Sequence, residues 1–188
     1  MLLLVFLPLP VRALRVGLIQ ALGASVTFDE FVNPMRGMPV SHAWRGHLSV
    51  IFFELGALTQ GRTRKDGTAG NPVGEFTIHI EPNWRIEGRR SILCGSDDTT
   101  PAIERTLART VGSTVEDISC VGRLPELNLQ LSVGAFLTFS AWKGQPNWTI
   151  NFWRSRVAMY SQYGKVKFDG AAPNNSFKPN PLRRFVEE

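Results

Sequence analysis

The stretch GEFTIHIE, residues 74–81, decides the fold class. Phe76, Ile78 and Ile80 alternate with Glu75, Thr77, His79 and Glu81. In an extended chain a period of two puts the three apolar side chains on one face and the polar ones on the other. A helix would scatter both sets around its axis. The segment therefore reads as a β-strand with one face on a core and one face wet.

The same pattern continues outward. Pro82-Asn83 turns the chain, and Trp84 and Ile86 then alternate with Arg85 and Glu87. Ser91-Ile92-Leu93-Cys94 reads as another short strand. Upstream, Val50 to Phe53 form a continuous β-prone run inside HLSVIFFELGAL, residues 47–58, which predicts a buried strand. Between the two lies TQGRTRKDGTAGNPVG, residues 59–74, whose glycines and charges predict an exposed loop. Residues 28–44 carry Asn33-Pro34, Gly37 and Pro39 and read as a short opening segment with turns.

Downstream, one helix is expected at about 100–112. Thr100 suits the N-cap, Pro101 the first turn and Gly112 the C-terminal cap. Ile103, Leu107 and Val111 make an apolar stripe between them. Asp97 and Asp98 precede the positive end of its dipole. Strands follow at Val115 to Val121, at Leu127-Leu129-Leu131, at Ala135 to Trp142 and at Trp148-Ile150-Phe152, with turns at Val133-Gly134 and at residues 143–147. The expected fold is α+β and mostly β: an antiparallel meander or partly open barrel of about seven strands with one main helix.

Charge and composition divide the chain into three parts. The formal net charge is +5 over 188 residues. Residues 26–153 hold 12 Lys and Arg against 13 Asp and Glu and are expected to form a single β-rich domain. Residues 1–25 bring Arg12 and Arg15 and no acid, and residues 154–188 bring seven basic against three acidic groups. The basic excess sits in the ends, so it argues against specific nucleic-acid binding by the domain. Residues 1–25 read as a non-domain segment, either upstream translation before a start at Val26 or Met35, or a weak signal-like sequence. Their apolar run, ended by Pro8, Pro10 and Arg12, is too short to span a bilayer, which needs roughly 20 residues. The expected location is cytoplasmic, or exported if residues 1–24 act as a signal peptide, and no membrane partner is expected. Residues 154–188 read as an extension ending in a disordered basic tail, since from Gly170 onward there is no apolar period to offset the ordering entropy.

Two resemblances add context. The tail string NNSFKPNPLRR resembles the translated recombination site that ends open reading frames of bacterial integron gene cassettes. This implies a bacterial, horizontally mobile gene and a tail without a function of its own. The pattern Trp84-Arg85-Ile86-Glu87, Gly95-Ser96-Asp97, Gly112 and Leu127-x-Leu129 to Gly134 is similar to that of small uncharacterised bacterial β-rich proteins, some encoded beside toxins or on mobile elements. That similarity spans about residues 26–153 and brings no activity with it.

The residues offer few chemical motifs. G-x-S-x-G and H-E-x-x-H are absent, and no cysteine stands in a motif-like context. His42, His47 and His79 with Cys94 and Cys120 lack zinc-ligand spacing, so no metal, cofactor or catalytic group is assigned. The two cysteines read as free thiols, or as a disulfide if their strands are neighbours. Asp97, Asp98 and Glu104 fit helix capping better than cation binding. Arg62, Arg64 and Lys65 in the glycine loop are candidates for anion contact. Glu54 and Glu81 read as surface partners of Arg85 or Arg45, or as an acid and base lining a cavity. Trp84, Arg85, Trp142, Trp148 and Trp153 are candidate ligand or partner contacts, with Trp153 facing away from Trp148 and Phe152.

The expected function is that of a small non-enzymatic accessory protein that binds an unknown protein or small ligand, immunity- or defence-like in role. A homodimer is left open. The alternative is a cavity enzyme or ligand-binding barrel using Glu54, Glu81, Arg85 and His79.

Overall fold

A computed structural model describes residues 26–139, 146–153 and 157–169. The N-terminal segment 1–25, Trp142 and the tail from residue 170 lie outside the described residues. The chain opens with a one-turn helix α1 (Phe28–Val32), followed by β1 (Val40–Arg45), β2 (Ile51–Leu55), β3 (Phe76–Ile80), β4 (Trp84–Glu87) and β5 (Ile92–Gly95). Helix α2 (Thr100–Thr110) comes next. The remaining strands are β6 (Val115–Val121), β7 (Glu126–Leu131), β8 (Gly134–Thr138), β9 (Trp148–Phe152), β10 (Val157–Gln162) and β11 (Lys165–Asp169).

The strands form two antiparallel sheets. One runs β1-β2-β3-β9-β10-β11 and the other β5-β4-β8-β7-β6. The fold is thus mostly β and antiparallel with one main helix, and the described residues form no closed barrel. The strand tally passes the expected seven for local reasons. Val40–Arg45 was expected to be turn, but it forms an edge strand whose residues beyond Val40 are half-buried on both faces, so they show no alternation. Residues 157–169, expected in the extension beyond the domain, pair with β9 as a hairpin and carry the sheet past 153 to Asp169.

The core lies between the sheets. Phe53 of β2 meets Phe136 of β8 edge-to-face at 4.6 Å. Ile51, Leu55, Ile78, Ile80 and Ile150 from one sheet, and Ile86, Ile118, Leu127 and Leu129 from the other, are all buried there. Helix α1 starts with a capping box between Thr27 and Glu30. It sets Phe28 against Trp148 and Phe31 between Phe76 and Phe168. Arg36 then clips the following turn to β6 through Asp117 at 3.0 Å.

Helix α2 has a topological task. It leads from β5 to β6, the opposite edges of the five-strand sheet, and packs against β1 and β5 on the way. Five strands at about 4.8 Å spacing put those edges roughly 19 Å apart, and an eleven-residue helix covers about 16 Å of that. Its N-cap is Thr99, one residue before the expected Thr100, and Pro101 lies in the first turn. Ile103, Leu107 and Thr110 are its buried residues. Val111, expected in the stripe, is already extended at ψ 130° and points away, and Gly112 turns the chain with φ +87°.

Candidate functional site

Strand register places the outer face of the six-strand sheet, the face turned away from the core, in two rows. One row runs His42, Glu54, Thr77, Asn151 and Ala158 across β1, β2, β3, β9 and β10. The next runs Trp44, Phe52, His79, Thr149 and Tyr160. Thr77 and His79 of this face were expected to be wet. Instead Glu54, Thr77, His79 and Thr149 are only 3%, 4%, 8% and 1% exposed. His42, Trp44 and Phe52 are half-buried beside them.

The second row is an aromatic ladder. Trp44 and Phe52 stack at 3.9 Å with their planes 5° apart, and Phe52 stacks on His79 at 4.8 Å. These spacings follow from the strand separation, because residues directly opposite on neighbouring strands bring their rings together. His79 Nε2 reaches the Glu81 carboxylate at 3.2 Å.

The first row carries a hydrogen-bond chain. The Trp153 indole donates to Thr77 Oγ1 at 2.7 Å, and the Thr77 hydroxyl donates to Glu54 Oε2 at 2.5 Å. The Gly74 N–H donates to the same Oε2 at 2.9 Å. Gly74 is needed there: a Cβ would stand 2.6 Å from the Leu55 backbone. Burial pushes the Glu54 carboxyl above its ordinary pKa, and the bonds from Gly74 and Thr77 oppose that rise. Trp44 opposes it too, although its indole N–H does not reach Glu54 in hydrogen-bond geometry.

Three polar atoms of this face are buried without a hydrogen-bond partner among the described residues: His42 Nε2, Trp44 Nε1 and Thr149 Oγ1. Folded proteins pair most buried polar groups, and each one left unpaired costs about 1–3 kcal/mol. Arg45 Nε is the fourth such atom among the described residues, so three of the four share this sheet face.

The other candidates separate. Glu54 and Glu81 do not pair with Arg85 or Arg45. Glu81 meets His79, Arg85 meets Glu87, Arg45 approaches Glu104 at 3.8 Å, and Glu54 has no cationic partner among the described residues. Of the four residues considered for a cavity, Glu54, His79 and Glu81 belong to this face. Arg85 lies on β4 in the other sheet.

Arg85 borders an open cleft of about 370 Å³ with Trp84, Ser96, Asp97, Asp98 and Phe139. The cleft's polar groups are largely spent on the protein itself. Arg85 lies over the Phe139 ring at 4.5 Å, the Trp84 indole donates to Ser49 O, and Asp98 accepts the Gly95 N–H. Trp84 and Trp148, expected as contact residues, are core side chains at 2% and 0% exposure, with the Trp148 indole donating to Pro125 O. Trp148 has no surface to offer a partner, and Trp84 borders the cleft with only a sliver of its side chain. Trp153 does lie on the outer face, as its alternation implied.

Arg62, Arg64 and Lys65 are exposed in the loop between β2 and β3, which closes on itself through bridges at Thr59–Val73 and Thr63–Ala69. Arg64 donates to Ala69 O and is tied within the loop. Among the described residues no three His, Cys, Asp or Glu side chains assemble for a metal.

Cys94 on β5 and Cys120 on β6 occupy opposite edges of the five-strand sheet and are free. That separation exceeds the roughly 7 Å a disulfide allows between Cα atoms. Burial pushes Cys120 up to about 11, with Asp29 adding to the rise, and it raises Cys94 as well. Neither thiol is activated as a nucleophile.

His42, Trp44 and Thr149 were not assigned to a site from the sequence, because their shared face appears only once β1 and β9 are placed in register. No helix among the described residues is long and apolar enough to cross a membrane. Comparison with known protein families, with characterised proteins and with solved structures finds no match to this chain, so the outer face is judged on its own geometry.

Proposed function

We propose that the chain is a small non-enzymatic binding protein that takes a small polar ligand on the outer face of its six-strand sheet. The supporting observation is the set of buried, unpartnered polar atoms on His42, Trp44 and Thr149. A ligand that pairs with these atoms recovers the cost they impose on the free protein, and the ladder of Trp44, Phe52 and His79 supplies flat apolar contact.

The test is native mass spectrometry of the full chain after incubation with cell extract and gentle desalting. A retained low-mass species is expected, and it should be lost from a His42→Ala, Trp44→Ala double variant. A spectrum showing only the bare chain, or a retained species indifferent to the double variant, overturns the proposal.

A second reading, acid–base chemistry, is favoured by the raised pKa of Glu54 opposite His42. It requires the retained species to be converted by the parent chain and to persist intact on Glu54→Gln.

A further inference from the structure

We infer that the ligand presents a flat edge with a hydrogen-bond donor beside an acceptor, as in a primary carboxamide or a lactam, its donor meeting Glu54 and its acceptor meeting Trp44. This rests on the binding proposal above. An indole N–H can only donate, and that of Trp44 is buried without an acceptor. Both hydrogen bonds that Glu54 accepts fall on Oε2, and a carboxyl group keeps further accepting capacity in either protonation state. His42 stands opposite Glu54 on β1, and Trp44, two residues on, is the diagonal neighbour of Glu54 on the same face, within reach of an aromatic side chain. The site thus sets a lone donor beside an acceptor.

A purely anionic ligand would satisfy Trp44 but press its charge on a buried acid that has no cationic partner among the described residues. A purely cationic ligand would satisfy Glu54 but leave the Trp44 N–H buried and unpaired. A donor–acceptor edge satisfies both. Gly46 favours a flat molecule here. A Cβ at that position would stand 3.0 Å from Phe52 Cε2, so a side chain there would crowd the edge of the ladder.

Three isosteric probes separate the classes: benzamide offers both groups, benzoate only acceptors and benzamidinium only donors. They are titrated into the full chain while the indole N–H resonance of Trp44 is followed by NMR, with Trp44→Phe providing its assignment. Benzamide is expected to shift that resonance and to bind at least about tenfold tighter than either charged probe, the value of one hydrogen bond. Trp44→Phe keeps a ring but lacks the N–H, and should lose about tenfold for benzamide and little for benzamidinium. Equal or tighter binding of a charged probe, unchanged benzamide affinity in Trp44→Phe, or no response to any probe overturns the inference. A charged probe that binds at Trp44 as tightly as benzamide would sink the amide-type edge and leave the site standing. The binding proposal itself falls only with the mass-spectrometric result.

Discussion

The inner and outer faces of the six-strand sheet are built by the same strands, and the inner face is fully and the outer face largely buried, yet they are composed differently. On β2, β3 and β9 the inner face holds Ile51, Phe53, Leu55, Phe76, Ile78, Ile80, Trp148, Ile150 and Phe152, with the Trp148 indole bonded to Pro125. The outer face of the same strands holds Phe52, Glu54, Thr77, His79 and Thr149, and the hydroxyl of Thr149 is buried without a partner. Burial on the inner face follows from transfer of apolar surface out of water. The outer face withdraws polar groups from water without fully pairing them, so stability alone does not account for its composition.

Substitutions can break this contrast. The largest effect belongs to the inner face. Phe53 is fully buried and joins the two sheets through Phe136. Phe53→Ala should cost about 3–5 kcal/mol in urea denaturation, because it opens a cavity where the sheets meet. A loss below about 1 kcal/mol would mean that the sheets are not held together at this contact.

The next effect has the opposite sign. Thr149→Val keeps a β-branched shape and removes a buried hydroxyl that has no partner among the described residues. It should stabilise the domain by about 1–2 kcal/mol in the same measurement. Destabilisation would show that the hydroxyl is paired, and the outer face would then resemble the inner one.

The inner face was readable from sequence and the outer face only in part. In GEFTIHIE the alternation correctly separates Phe76, Ile78 and Ile80 from Thr77 and His79. Polarity shows which face avoids the apolar core, but not whether that face is covered, and alternation alone therefore predicts Thr77 and His79 to be wet. The Thr99–Gly112 region was legible because its punctuation is local. The β10–β11 hairpin was not. Its turn residues Tyr163 and Gly164 both adopt positive φ, a geometry usually signalled by Asn-Gly. Glu54 and His79 were recognisable as chemical groups, whereas their neighbours His42 and Trp44 depended on the register of an edge strand without alternation. A slip of one residue there would turn both to the opposite face.

The smallest effect tests the outer face through pH. Burial raises the Glu54 pKa in the folded protein above the ordinary value of 4.5. Below pH 4.5 the carboxyl is protonated in both states and its contribution to stability is fully present. As pH rises through the folded pKa that contribution is lost, because the unfolded chain has already released the proton that the folded chain still holds. A glutamine side chain does not titrate, so Glu54→Gln removes this loss. The variant should be close to the parent below pH 4.5, gain on it as pH rises through the folded pKa of Glu54, and level off above that. Glu30 and Asp66, whose pKa values are lowered, give the opposite slope, but they are present in both proteins and cancel in the difference. A variant that instead loses ground as pH rises would require a cation beside Glu54 in the folded state. The outer face would then be electrostatically complete in the free protein, with no deficit for a ligand to fill.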